Sequence, residues 1–263
     1  MVETQVRAIT SGTKEWSKNN LNTHKGCPHN CGYCYAKMIG YNKGWKEKGT
    51  WCIMEPKSHI IEKKYRKIKN DNPKLYDYMY PSAHDIVPEI VDISISVLEK
   101  ILVVGNTVLV VSKAWTLCTD KITDALRKYQ DQINYRFTIT SSNKERLAFW
   151  EPNAPPLHER LNSLSIAYKK GFTTSVSIEP FLDQDPIPLI KKVAQYATES
   201  IWIGKMNYIK AKGISNEEKP NYDYIRSISS RKNILKILGN ISQLPEEIKG
   251  KIRLKDSIRK MNK

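Results

Sequence analysis

Three of the five cysteines fall within eight residues, in the run Cys27-Pro28-His29-Asn30-Cys31-Gly32-Tyr33-Cys34. A C-x3-C-x2-C pattern on one tight loop offers three soft thiolates. Such a set can hold three irons of a cubane cluster and leave the fourth iron without a protein ligand. An open iron is a reactive site. The alternative chemistry is a structural zinc site, which wants four protein ligands in a closed tetrahedron, so that His24 or His29 would complete Cys3His. Zinc sites usually pair two C-x2-C hooks or add H-x3-5-H, and no second hook exists here, since Cys52 and Cys118 stand alone. An odd cysteine count clustered in this way argues for metal binding over a disulfide framework.

The elements that must position this loop follow from the alternation of short β-branched runs with amphipathic stretches, which predicts βαβ units and a parallel sheet. Candidate strands are 19–24, 76–82, 107–112, 135–141, 173–179 and 200–205, so the cysteine loop directly follows the first. Candidate helices lie between them. Pro88 and Gly105 bracket 89–104, Asp120 can cap 121–129, Pro155-Pro156 and Gly171 bracket 157–170, and Asp185-Pro186 opens a helix running to about 197. Right-handed crossovers curl such units into an α/β partial (β/α)6 TIM-like barrel, with functional residues at the C-terminal ends of its strands. The predicted organisation is a barrel over 1–208 and a basic C-terminal extension over 209–263 packing on it. Leu254 and Ile258 at helical spacing favour an ordered strand or helix in the final stretch over a basic tail.

Composition narrows the function classes. Forty percent hydrophobic residues suffice for a core, and no run approaches a membrane span. The first sixteen residues lack a positive region followed by an apolar run, so no secretory signal is expected and the expected setting is cytoplasmic, with reduced thiols. The net charge is +16, from 43 basic and 27 acidic residues. Residues 37–74 hold 11 basic against 4 acidic, residues 205–263 hold 15 against 6, and residues 75–204 hold 13 against 15. Basic flanks carrying Tyr41, Trp45, Trp51, Tyr65, Tyr208, Tyr222 and Tyr224 fit a polyanion footprint; a solvated lysine-rich surface is the plain alternative. Because both flanks connect to strand ends, the lysines of 57–69 and 249–260 are expected around the barrel mouth.

The C-x3-C-x-aromatic-C loop resembles that of the radical S-adenosylmethionine (radical SAM) enzymes, and the likeness spans roughly residues 19–207. A narrower likeness is to the spore photoproduct lyase-like branch. It rests on Gly26-Cys-Pro-His-Asn-Cys-Gly-Tyr-Cys-Tyr-Ala36, Ser82-Ala-His-Asp-Ile-Val87, Ser112-Lys113 and Trp150-Glu-Pro-Asn-Ala-Pro-Pro-Leu-His-Glu-Arg-Leu161, four segments in the right order. One departure stands out: the lyase carries a cysteine hydrogen donor near its second strand, where this chain has Ser82. The resemblance therefore does not imply photoproduct lyase activity.

What the resemblance implies is a 4Fe-4S cluster on Cys27, Cys31 and Cys34 with S-adenosyl-L-methionine on its open iron. Reductive cleavage would then give a 5′-deoxyadenosyl radical for hydrogen abstraction, fed by reduced flavodoxin or ferredoxin. Joined to the basic flanks, it implies an enzyme that modifies or repairs a nucleic acid, DNA or RNA; a small-molecule or peptide substrate, or a zinc nucleic-acid-binding module, are the rivals.

Individual roles follow, each beside a plainer one. Lys113 would pair with the cofactor carboxylate, or be a surface lysine. Asp85 and Ser82 would bond its amino group, or Asp85 would cap a helix before Pro88. Ser141, with Ser142, would bond ribose hydroxyls, or make an ordinary turn. Glu179 would bind cofactor or substrate, or pair with Lys113 or Lys205. Tyr33 would wall the adenine. Trp115 and Cys118 read as core residues first and as substrate-entrance residues second.

Overall fold

Every residue of Ile133–Thr138 is buried, which a strand covered on both faces requires. The computed structural model describes residues 12–261. Its first half runs β1 (Ser17–Asn20), β2 (His24–Lys25), α1 (Tyr35–Asn42), β3 (Glu55–Pro56), α2 (Ser58–Ile61), β4 (Tyr76–Tyr80), α3 (Val91–Leu102), β5 (Val108–Ser112), α4 (Thr116–Ala125) and β6 (Ile133–Thr138). The second half runs α5 (Lys144–Trp150), α6 (Leu157–Lys169), β7 (Thr173–Ile178), α7 (Ile187–Ala194), β8 (Ser200–Ile203), α8 (Lys219–Ile228), α9 (Arg231–Ser242), α10 (Glu246–Lys249), β9 (Ile252–Leu254) and α11 (Asp256–Arg259). Seven strands form one parallel sheet in the order β1-β4-β5-β6-β7-β8-β9, curled into a half-barrel. The pair β2–β3 is a separate antiparallel ribbon. No described helix is long and apolar enough to cross a membrane.

Period-two alternation divides the sheet's two faces. Val108, Val110, Tyr135, Phe137, Val176, Ile178, Ile201 and Ile203 point outward into the main core beneath the helices. The inward face differs in chemistry. Met79 and Leu109 share a small cluster with Trp16, against which Trp202 packs, while Asn134, Arg136 and Ser175 form a buried polar set. Arg136 donates from Nε to Ser175 Oγ (2.9 Å) and from Nη2 to Glu199 (3.3 Å), and its guanidinium lies 4.7 Å from the Trp16 ring centroid. A charge in this position needs both the ion pair and the aromatic face.

The segment before β1 spans the gap between the sheet's edges. Glu15 pairs with Lys255 Nζ (3.2 Å) and Arg259 Nη2 (2.9 Å), both just beyond β9, and the Lys255 ammonium sits 3.9 Å from the Trp16 ring centroid. Trp16 is thereby held inside the half-barrel against Trp202, 5.5 Å away between centroids.

Several sequence expectations shift. The sheet has seven strands, because 252–254 pairs in parallel with β8, so it continues past residue 208. The first strand is 17–20, not 19–24. Beyond it, Asn22 Oδ1 accepts from the amides of Ser82 (2.9 Å) and Ala83 (2.7 Å), which draws the chain off the sheet and toward the loop after β4. The helix expected from 121 starts at Thr116, whose N–H is satisfied by Glu159 Oε2 (2.8 Å) from α6, so Asp120 lies within it and does not cap it.

Part of the first lysine-rich run sits differently from expectation, and much of the second is paired. Lys67 Nζ is held by Asp77 (2.7 Å) and the Gly105 carbonyl (2.8 Å), and Asn106 brackets Arg66 and Ile68. These contacts place 66–68 at the N-terminal ends of β4 and β5, away from the mouth. In the other run, Lys251 bonds the Ala194 carbonyl, Arg253 the Gly250 carbonyl, and Lys260 pairs with Asp256, while Lys255 and Arg259 hold Glu15.

Because Trp16 fills the interior and shields two buried cations, Trp16→Ala should lower unfolding free energy by about 3–5 kcal/mol, read from urea denaturation.

Candidate active site

The cysteine loop is built on positions where a side chain will not fit. Gly26 has φ of +83°, and a Cβ there would lie 2.4 Å from the Ile53 carbonyl oxygen and 2.7 Å from that of Trp51. That close approach lets Cys27 N–H donate to the Trp51 carbonyl (2.8 Å). On the other side Gly32 N–H donates to the Trp150 carbonyl (2.8 Å), and a Cβ would meet the Trp150 ring at 3.1 Å. Cys34 then caps α1, its Sγ accepting from Lys37 N–H (3.4 Å). Two tryptophans, one from the loop before β3 and one ending α5, thus clamp the loop.

Burial pushes the Cys31 thiol up to about 12 despite the pull of Lys113, and raises that of Cys27, with Asp85 adding to the rise. Thiols of this kind are inert until a metal takes the proton's place. Among the described residues no three His, Cys, Asp or Glu side chains converge on a point able to hold one metal ion. Nor does either histidine turn to the thiols: His24 Nδ1 bonds Thr23 Oγ1 (3.0 Å) and His29 Nδ1 faces Asp85 (3.3 Å). Three soft thiolates on one loop, each free to take a separate iron, are the donor set a cubane cluster would use.

Around the loop stand two carboxylates with different work. Asp85 is fully engaged: Oδ1 accepts from Ile86 N–H (2.8 Å) and Ser112 Oγ (2.5 Å), and Oδ2 from Lys113 N–H (2.9 Å) beside His29. Burial acts to raise its pKa, but His29, Lys113 and Ser112 hold it well below the usual carboxylate range. It ties the loops after β4 and β5 to the cysteine loop and caps no helix, since the turn at Pro88 begins without a side-chain cap.

Glu151 is the second. It pairs with Arg160 Nη2 at 2.5 Å, with both side chains no more than 1% exposed, accepts from Thr140 Oγ1 (2.7 Å) and receives the Tyr33 hydroxyl. Burial alone would raise its pKa; Arg160 and Lys113 outweigh that and lower it. Neither Glu151 nor Arg160 was singled out from sequence. Their signal was present, since both lie in the segment 150–161 that carries the family likeness.

Lys113 ends β5 with its ammonium 5.6 Å from the Tyr33 ring centroid and no hydrogen-bond or ion-pair partner among the described residues. Burial works against its charge, yet Cys31, Glu151 and Asp85 raise its pKa. A half-buried cation without a partner, beside thiols and above an aromatic ring, is suited to an anionic ligand. Tyr33 is turned to Glu151 and Lys113. Ser82 is bound to Asn22 (2.9 Å), and its carbonyl receives the Tyr35 hydroxyl. Ser141 bonds Asp183 (2.5 Å) and accepts from Asn143 N–H (2.9 Å), an ordinary turn that leaves Ser142 exposed. Trp115 borders a cavity of about 260 Å³ with His29, Glu89 and Asn153. Cys118 is fully buried, its thiol pushed up to about 12 chiefly by burial.

Glu179 stands at the end of β7, packed against Gly204, where a Cβ would come 2.9 Å from its Cγ. Its cation is Lys255 (3.9 Å), from beyond β9, and not Lys113 or Lys205. Burial raises its pKa to about 7; Lys255 and Arg136 oppose the rise, and Glu15 and Asp256 support it.

Solved structures with this fold exist. Spore photoproduct lyase complexed with dinucleoside spore photoproduct superposes with TM-score 0.51 over 80% of this chain and 60% of the lyase, at 14% identity. A double mutant of the lyase with bound AdoMet and dinucleoside spore photoproduct gives the same values. The chain shares the fold of spore photoproduct lyase. It spans three-fifths of the lyase's length. SuiB of Streptococcus suis, bound to S-adenosylmethionine, aligns at TM-score 0.46, 10% identity, over 83% of this chain and 46% of that one. No family model and no curated protein matches the sequence.

Two outcomes follow from the carboxylates. Glu151→Gln leaves Arg160 charged and unpaired in the interior and should cost about 3–5 kcal/mol, measured by denaturation. Glu179 carries the opposite sign to a salt-bridged acid: its folded pKa is raised, so its contribution is full below about pH 4.5 and is lost as pH rises through about 7. Between pH 5 and 8 the native protein should therefore lose up to about 3 kcal/mol relative to Glu179→Gln, followed as thermal midpoints of the two proteins.

Proposed function

We propose that this chain is a radical SAM enzyme in which Cys27, Cys31 and Cys34 hold a 4Fe-4S cluster and whose substrate is a nucleic acid. The observation that carries the reading is the three-cysteine loop clamped over the strand ends of a lyase-type half-barrel, with the partnerless Lys113 beside Cys31. When bound, the cluster supplies an electron that reductively cleaves S-adenosyl-L-methionine, yielding the 5′-deoxyadenosyl radical that takes a hydrogen from substrate. The electron donor is reduced flavodoxin or ferredoxin, and the setting is cytoplasmic.

The chain's own residues bind, orient and exclude water. Lys113 pairs with the cofactor carboxylate, and the Tyr33 ring lies beneath it as an aromatic wall. Asp85 has both oxygens committed, so it works by fixing the Lys113 amide and the His29 ring, while Ser82, with a lone pair left beyond its bond from Asn22, would accept from the cofactor's amino group. Ser141 holds the turn that presents Ser142 to the ribose. Glu179 meets substrate at the rim. The nucleic-acid half draws on the basic excess and on the lyase's dinucleoside ligand.

Anaerobically purified protein should carry about four irons with matching acid-labile sulfide. Iron below about three per chain, or zinc in its place, overturns the cluster. Alanine at Cys27, Cys31 or Cys34 should abolish both the iron and the 5′-deoxyadenosine formed under dithionite. Lys113→Ala should keep the iron and weaken S-adenosylmethionine binding at least ~10-fold, as loss of a buried charge-assisted contact requires. Oligonucleotide binding should fall steeply between low and high salt; salt-independent activity without oligonucleotide affinity would point to a small molecule or peptide instead.

A further inference from the structure

We infer that the nucleic acid is received on the outward face of α1 and the turn that follows it, and not on the far end of the lysine-rich run 57–69. The inference rests on the nucleic-acid reading above and assigns it a surface. Among the described residues, ten large hydrophobics are exposed, and five of them lie within 35–53: Tyr35, Met38, Ile39, Trp45 and Ile53. Tyr35, Met38 and Ile39 stand at i, i+3 and i+4, on one side of the helix. The other side is committed to packing, because Ala36 is buried and a Cβ at Gly40 would lie 2.8 Å from the Trp51 ring. Trp45 follows at the helix exit, its N–H on the Gly40 carbonyl (2.8 Å), with 53% of its surface exposed.

This face adjoins the site. It begins at the residue after Cys34, and the Tyr35 hydroxyl donates to the Ser82 carbonyl at the mouth. Lys43 and Lys48 rise beside it, exposed and without an ion-pair partner among the described residues. Toward the other side of the sheet, the loop leaving β8 carries Tyr208, 55% exposed, between Lys205 and Lys212. Aromatic rings interleaved with uncompensated lysines on both banks of the mouth offer what single-stranded nucleic acid takes: faces on which bases stack and cations that follow the backbone. An apolar patch alone would suit many partners, but free lysines on both banks select a polyanion.

Much of the charge in the lysine-rich runs is committed elsewhere. Lys67 is fastened to Asp77 and Gly105 at the opposite ends of the strands, and Lys255 and Arg259 are spent on Glu15.

The test is fluorescence anisotropy of a labelled single-stranded oligonucleotide with the full chain. The double variant Trp45→Ala, Tyr208→Ala should bind at least ~5-fold more weakly. Lys43→Gln with Lys48→Gln should reduce the slope of log affinity against log salt by about 1.4, the value for two phosphate contacts on a single strand. Arg66→Gln, Lys69→Gln, Lys74→Gln together should leave affinity within ~2-fold, since they lie at the far end, before β4. Unchanged affinity in the mouth variants with loss in the far-end triple overturns this inference alone. Native protein that binds no oligonucleotide at any salt overturns the nucleic-acid reading itself. Dimerisation of the native chain in sedimentation, abolished by Trp45→Ala, would assign the face to a second copy and overturn the inference.

Discussion

The buried pair between Glu151 and Arg160 is the contact on which the site depends. Arg160 comes from α6 and also donates to the carbonyls of Pro155 (2.7 Å) and Thr138 (3.3 Å), so it joins the end of β6 to the linker between two helices. Glu151 ends α5, and the same carboxylate receives Tyr33 from the cysteine loop. One ion pair therefore fixes strand, helices and loop relative to each other. Its low-dielectric surroundings make every bond in it matter, because any partner removed leaves the other charged and dry. Asp85 does the same work on the opposite side, through Ser112, Lys113 and His29. Between these two carboxylates the Cys27 and Cys31 thiols stay buried and Lys113 stays free.

The half-barrel's interior has its own logic. Helices cover the outer face with aliphatic side chains, whereas the inner face carries Arg136, Ser175 and Trp202, and the chain's own Trp16 is inserted among them. An open curled sheet leaves two edges and a polar lining that water would otherwise fill. Trp16 covers the lining, and Glu15, with Lys255 and Arg259, bridges the edges. The interior is thus closed from below, and Glu179 with its Lys255 partner stands between this plug and the mouth. Charge that looks like a single basic property of the chain is divided by the fold into cations that hold the barrel together and cations left at its rim.

Much of this was legible in the residue order. The cysteine spacing, the period-two runs and the Pro and Gly brackets are local signals, set by ligand chemistry and backbone sterics over a few residues, and they located the loop and the middle strands well. The strand at 252–254 was harder, because three residues with one free edge acquire strand geometry only by pairing with β8. The start of α4 was missed for a similar reason: the group satisfying Thr116 N–H belongs to Glu159, forty-three positions away.

What the sequence determined by itself was chemistry: three thiolates on one loop, a lysine ending a strand, and a large positive excess. Tertiary structure alone decided which of those charges are free. Lys113 is partnerless and Lys255 is spent, Asp85 is saturated and Glu179 is raised toward neutrality, and lysines close together in sequence are sent to opposite ends of the barrel. Type and spacing are properties of the chain, but burial, partner and field depend on residues far apart in sequence and exist only once the sheet has curled.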